Sequence, residues 1–361
     1  MEGDLTASDA VWSERDTSPG AIEAALRELL RAQHAENASF VPARVLNLVV
    51  VVDAQWSGEI ANRLAKVGRF HPSRTIVCAV EPGRTTLDAV ASLTGDIEAG
   101  EIPKPGDVAL IRELVVVRCG ERHLAHLDTV VDPLVVTDLV TVLWAPHGHR
   151  EAVDSLLHLA QVVLVDSVDE PDVKEALGRA RELSDEAYVV DLAWLRSTPW
   201  RERIAATFDP TRLRPDLQTI SRIGIRHHPD SEAAALLLVG WMAARLDWQP
   251  SRLVPRNGTM VGQAHARRQD VALSLEPAPE LSTRGLASVE FETAGGRWFK
   301  LDRGPGGLKA HYRHTRGTER EWTVLGASRG EAGILGEGIR QALLRDPTYK
   351  PALEKALTLT R

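Results

Sequence analysis

The run Val45-Leu46-Asn47-Leu48-Val49-Val50-Val51-Val52 restricts the fold more than any other stretch of the chain. Consecutive valines are stiff at χ1 and favour extended backbone. A strand whose apolar side chains point both ways must be covered on both faces. Only Asn47 interrupts the run. Comparable runs recur at 75–80, 108–119, 139–144, 162–166 and 188–192. Helical spacing separates them: around Ile60, Leu64 and Val67, near 152–159, over 172–182, with a short helix between His123 and Leu134. Such alternation predicts an α/β class, with an N-terminal, mainly parallel sheet carrying helices on both faces.

The flanks read differently. Residues 1–18 are polar and acidic, the pattern of a flexible arm, and Ser18-Pro19 opens an amphipathic helix through Ile22, Leu26, Leu29 and Leu30. In the second half Ser231 is expected to cap a strongly apolar helix with Leu236, Leu237, Val239, Trp241 and Met242. The periodicity then falls to two at 271–275, 288–292, 298–301, 308–314 and 321–325. Gly295-Gly296 and Gly304-Pro305-Gly306-Gly307 punctuate these as hairpin turns, and Ser328-Arg329-Gly330-Glu331 matches a capping box before a last helix. The expected organisation is an arm and helix over 1–40, an α/β domain over 41–205, and an α+β domain over 206–361 with an antiparallel meander flanked by helices. A chain of 361 residues is long enough for two cores.

Several chemistries lack their residues. The first strand leads into Asp53-Ala54-Gln55-Trp56-Ser57-Gly58, which contains neither the glycine fingerprint of a dinucleotide site nor a P-loop. No nucleophile and base stand at a telling spacing, so no catalytic residue and no cofactor are expected. His147-Gly148-His149 reads as a polar loop in preference to a metal site, because further ligands are missing nearby. Asp166 and Asp191 end strands, where a helix-capping role outweighs a catalytic one. No apolar run approaches the roughly 20 residues that cross a bilayer, and the first 20 residues lack the pattern of a secretory signal. Cys78 and Cys119 lie in strand-like runs as small hydrophobes, which points to a reducing cytoplasm. From residue 297 onward 13 Lys and Arg face 7 Asp and Glu, a net of +6 in a chain of −7 overall. That balance argues against general nucleic-acid binding and fits a specific anionic partner or ligand.

The densest candidate binding segment is Asp191-Leu192-Ala193-Trp194-Leu195-Arg196-Ser197-Thr198-Pro199-Trp200-Arg201-Glu202-Arg203. Trp and Arg are the commonest anchors of binding surfaces, and Thr198-Pro199 reads as the N-cap and first-turn proline of a helix. The basic hairpins supply a second candidate: Lys309, His311 and Arg313 share one face of a strand, Leu308, Ala310 and Tyr312 the other.

Ala43-Arg44-Val45-Leu46-Asn47-Leu48-Val49-Val50, His71-Pro72-Ser73-Arg74 and Asp191-Leu192-Ala193-Trp194 with Thr198-Pro199-Trp200-Arg201 together resemble the OpcA family, the glucose-6-phosphate dehydrogenase assembly proteins. Gly240-Trp241-Met242-Ala243-Ala244-Arg245-Leu246-Asp247-Trp248 is similar to that family's C-terminal apolar helix, so the resemblance runs over roughly residues 40–350. It implies a non-catalytic assembly factor and allosteric activator that binds glucose-6-phosphate dehydrogenase as a hetero-oligomer, in support of the oxidative pentose phosphate pathway. NADP and glucose 6-phosphate would then belong to the partner. Arg44, His71, Ser73, Arg74, Trp194, Arg196, Trp200 and Arg201 match the family's motifs and, with Lys309 and Arg313, are the candidate partner- or ligand-binding residues. The second reading is an α/β enzyme or sensor for a sugar phosphate or nucleotide, with a weak anionic ligand held at the strand ends.

Overall fold

The computed structural model describes residues 10–36, 40–42, 44–68, 72–95, 109–168, 170–267, 269–313, 317, 319–325 and 331–361. Its first sheet contains β1 (Ala10–Glu14), β2 (Phe40–Pro42), β3 (Leu46–Asp53), β4 (Ser73–Val80), β5 (Asp88–Gly95), β6 (Ala109–Cys119), β7 (Val140–Trp144), β8 (Val162–Val165) and β9 (Tyr188–Asp191). The strand order is β1-β5-β6-β4-β3-β7-β8-β9, with β2 paired to β6. The valine run forms β3, with Leu46 through Val52 all buried, bonded in parallel to β4 on one side and β7 on the other. Counting from β3, the run β6-β4-β3-β7-β8-β9 has the order 3-2-1-4-5-6 of a doubly wound Rossmann sheet, which reverses direction between β3 and β7. Helices α1 (Pro19–Glu36), α2 (Ser57–Gly68), α3 (Asp128–Val131) and α4 (Arg150–Leu156) belong to this unit.

Two expectations change here. Part of the expected flexible arm is β1, which pairs antiparallel with β5, itself a strand without a clean apolar run. Asn47 is explained by its own bonds. Its Nδ2 donates to Val136 O at 2.9 Å and its Oδ1 accepts the Val136 N–H at 2.9 Å, so the residue ties down the approach to β7.

Contacts group the described residues into two compact units. The first takes those up to Val165 with 186–190 and 335–343; the second takes 166–185, 191–334 and 344–361. The chain passes between the units at 165/166, 185/186, 190/191, 334/335 and 343/344. The second unit holds α5 (Val173–Leu183), α6 (Leu192–Arg196), α7 (Thr198–Phe208) and α8 (Glu232–Leu246). After α9 (Glu331–Leu344), it ends in α10 (Tyr349–Leu359). The capping box expected at 328–331 lies largely outside the described residues.

The second sheet comprises β10 (Ile220–His227), β11 (Gln249–Pro250), β12 (Val254–Arg256), β13 (Thr259–His265), β14 (Asp270–Pro277), β15 (Leu286–Thr293), β16 (Trp298–Gly304), β17 (Gly307–Arg313) and β18 (Glu319–Leu325), in the order β11-β13-β14-β10-β15-β16-β17-β18. The meander is antiparallel from β15 to β18, but β10 inserts beside β14 in parallel. Pro305-Gly306 joins β16 to β17, and Gly306 sits at a φ of +77°, in the left-handed region that such a turn position requires. α8 is apolar nearly all round and buried through most of its length. It touches α10 so closely that a Cβ on Gly240 would lie 2.2 Å from Ala352 O.

Candidate functional site

The Trp- and Arg-rich segment folds inward. Asp191 ends β9 and caps α6, accepting the Ala193 N–H at 2.9 Å. A second helix, α7, starts after a break at Ser197; its hydroxyl donates to Trp194 O at 2.7 Å. Thr198 is therefore the first residue of α7 and not its N-cap. Its hydroxyl oxygen accepts from Arg201 Nη2 at 2.9 Å. Trp194 and Trp200 are each 2% exposed. The Arg201 guanidinium lies 3.4 Å over the Trp194 ring, and Trp194 Nε1 donates to Asp346 Oδ2 at 2.9 Å. Burial lowers Arg201 to about 10 against the opposing pull of Asp346. Arg196 grips Asp166 with two bonds of 2.8 and 2.7 Å, both side chains less than a tenth exposed.

The carboxyl of Asp191 is the most perturbed acid of this cluster. Desolvation first, then the charge of Asp166, push it up to about 6 against opposing hydrogen bonds. Ser167 Oγ donates to it at 2.5 Å and Tyr349 Oη at 3.2 Å. These residues form a dense internal network whose side chains are occupied with one another, so the segment orders the second unit's interior.

Arg44 and Arg74 are likewise turned to internal use. Arg44 donates to Oε1 and Arg74 to Oε2 of Glu113, a carboxylate with no exposed surface, and Arg74 also donates to Leu134 O at 2.9 Å. Ser73 is buried with its hydroxyl 3.1 Å from that of Thr75. His71 lies outside the described residues. Glu113, the acid that organises this group, was not among the candidate residues; the only signal for it was a charged pair inside the apolar run 108–119.

In a doubly wound sheet the ligand crevice lies at the strand carboxyl ends beside the reversal point. Here that position holds Asp53 from β3 and the 145–149 loop after β7. His149 Nε2 stands 3.0 Å from Asp53 Oδ1, and the Asp53 N–H donates to His147 Nδ1 at 3.3 Å. The loop reaches Asp53 through Gly148 and His149, both at positive φ, +86° and +38°. Among the described residues no group of His, Cys, Asp and Glu assembles a metal cage. An acid and two imidazoles fill the place where glycine N–H groups would face a pyrophosphate.

Lys309 and Arg313 are the candidates left exposed, on one face of β17. Around them the face is mixed in sign: Lys300 pairs with Asp302 at 2.8 Å, and His311 stands 3.6 Å from Asp302 and 3.7 Å from Glu321. Arg313 lies 5.0 Å over the Trp298 ring.

Comparison with known proteins bears on residues 64–353. Two domains described as belonging to a glucose-6-phosphate dehydrogenase subunit match in succession, the N-terminal domain over residues 64–182 and the C-terminal domain over 187–353. The chain belongs to the OpcA family. OpcA of Synechococcus elongatus, an OxPP cycle protein by its name, is 30% identical over 142 residues, 38% of this chain and 32% of that relative. OpcA of Synechocystis is 29% identical over 143 residues, 38% of this chain and 30% of its own length. The matched segment thus spans about a third of these curated relatives. Among solved structures, a dehydrogenase (MviM) from Clostridium difficile shares 13% identity at a TM-score of 0.45, over 86% of this chain and 96% of that one. The WlbA dehydrogenase from Thermus thermophilus gives 13% and 0.43, over 87% and 94%. Likeness at that level carries no argument about what an OpcA protein does.

Proposed function

We propose that the chain is a non-catalytic subunit that binds glucose-6-phosphate dehydrogenase and favours its active assembly, supporting the oxidative pentose phosphate pathway. The observation that carries this reading is the consecutive match of two domains of one dehydrogenase-subunit family over 64–353. The reversal point of the sheet supports it, because Asp53, His147 and His149 stand where a nicotinamide cofactor would need a glycine turn. An activator requires only that it bind one state of the dehydrogenase better than another. Among the described candidate residues, Lys309 and Arg313 present exposed charge to a partner, whereas Trp194, Trp200, Arg196 and Arg201 act by holding the second unit in shape. Two unpaired, buried cysteines suit a reducing cytoplasm.

The test is a dehydrogenase assay with and without this protein, varying glucose 6-phosphate and following NADPH. A saturable rise in rate or fall in apparent KM, with co-elution on a sizing column, is expected. The double variant Lys309→Glu/Arg313→Glu should keep its melting temperature and lose at least about tenfold in activating affinity, about 1.4 kcal/mol for reversing two interfacial charges. Full activation by that variant moves the interface off the hairpins. No activation and no co-elution by the parent protein overturns the function.

A further inference from the structure

The second unit contains a pocket of about 740 Å³ between the end of α7, the turn that follows it, and the uncovered end of β16–β18. The local pairing explains why the sheet is open there. Phe208 of α7 packs edge-on against Phe291 and Phe299, which covers the middle of the sheet. Along the same face of β17, Leu308 and Ala310 are buried while Tyr312 is half-exposed. Tyr312 pairs in register with Arg320, and Trp322, two residues on, shares that face and remains 38% exposed. The helix thus stops short of the last strand, leaving a concavity with Tyr312 and Trp322 in its wall.

Arg203, Arg212, Arg297 and Arg320 line the same concavity. Arg297 is neutralised by Asp216, whose two oxygens it reaches at 2.6 and 2.5 Å. Among the described residues Arg203, Arg212 and Arg320 meet no carboxylate. Three guanidiniums that meet no carboxylate among the described residues thus line one pocket, a local concentration of positive charge that attracts an anion. Guanidinium is the side chain best matched to phosphate, through paired N–H donors. The exposed indole and the half-exposed phenol offer flat apolar faces of the kind on which bases stack. The volume falls within the range of small-ligand sites, roughly 300–1,000 Å³.

We propose that this pocket binds a nucleoside di- or triphosphate, its phosphates held by Arg203, Arg212 and Arg320 and its base against Trp322 and Tyr312. The site belongs to the second unit and not to the Rossmann-ordered sheet, and the assignment is independent of the dehydrogenase reading. No bond is made or broken; the ligand is an effector that the chain reads by charge and stacking.

Isothermal titration of the full chain alone, with ATP, pyrophosphate, adenosine and glucose 6-phosphate as separate probes, tests the proposal. ATP is expected to bind with a dissociation constant in the micromolar to sub-millimolar range, tighter than pyrophosphate by about tenfold or more, a gain of the size that base stacking supplies. Arg320→Ala and Arg212→Ala, both exposed side chains, should weaken ATP by about tenfold each with unchanged melting temperature, and Trp322→Ala should bring ATP down to the affinity of pyrophosphate. Absence of heat with ATP at about 5 mM, well above the expected dissociation constant, overturns the proposal. So does binding that survives both Arg variants, which places the ligand elsewhere, or pyrophosphate binding as tightly as ATP, which leaves the aromatic wall unused.

Discussion

Asp191→Asn turns the buried carboxylate of the second unit into a measurement. Asp191 is fully enclosed, and its Oδ1 accepts the N–H groups of Ala193 at 2.9 Å and Ser167 at 3.2 Å. Its Oδ2 accepts from the hydroxyls of Ser167 and Tyr349. Asparagine keeps the two amide bonds at Oδ1, and its Nδ2 has two protons to donate where the hydroxyls donated before. The substitution therefore removes the charge while preserving the shape. In the folded chain the carboxyl titrates near 6, raised from 3.8. The folded state thus holds the proton more tightly than the unfolded one. Stability contributed by this group is fully present below about pH 4 and is lost as pH rises through 6. A shift of about two units corresponds to about 3 kcal/mol, and about 2 kcal/mol of it falls between pH 4.5 and 8. Urea unfolding followed by circular dichroism at pH 4.5, 5.5, 6.5 and 8 reads it directly. Asp191→Asn should gain on the parent by about 2 kcal/mol across that range, because other titrating groups cancel in the comparison. A difference that stays constant with pH refutes the reasoning, since it would mean that burial does not hold the proton on Asp191.

Three further outcomes follow from the packing. Glu113→Gln withdraws the carboxylate shared by Arg44 and Arg74 and should destabilise the first unit by about 3 kcal/mol, read as a lower urea midpoint; a loss under about 1 kcal/mol would show that water replaces it, as at an exposed pair. Gly240→Ala gains about 1 kcal/mol in helix propensity, yet its Cβ would sit 2.2 Å from Ala352 O and 2.9 Å from Ala356 N. Forcing α8 from α10 should leave a net loss of about 2 kcal/mol, seen in the melting temperature. Burial pushes Cys78 well up and Cys119 to about 11, so neither is a thiolate at neutral pH. A disulfide reagent should label them only at the rate of unfolding, and labelling within a minute in native buffer would contradict their enclosure.

Apolar patterning carried the layout of the first sheet. β3, β4, β7, β8 and β9 are short runs rich in β-branched residues, and strands buried on both faces leave that pattern in any order of pairing. β1 was illegible because it lies at an edge and alternates weakly between half-buried and exposed positions. The parallel entry of β10 beside β14 was equally hidden, since both strands alternate like their antiparallel neighbours and register is a property of the partner.

The candidate residues divide on the same physics. Sequence determined that Trp and Arg gather at 191–203 and that basic residues gather on the hairpins, because side-chain type and period-two facing are local properties. It did not determine which arginines are free. Arg196 and Arg203 stand in one short segment, but Asp166 reaches the first from 30 residues earlier, and among the described residues no acid reaches the second. Arg74 waits on Glu113, 39 residues later, on the neighbouring strand. Whether a charge is spent inside or offered outward depends on which carboxylate the tertiary fold carries to it, and only the assembled structure decides that.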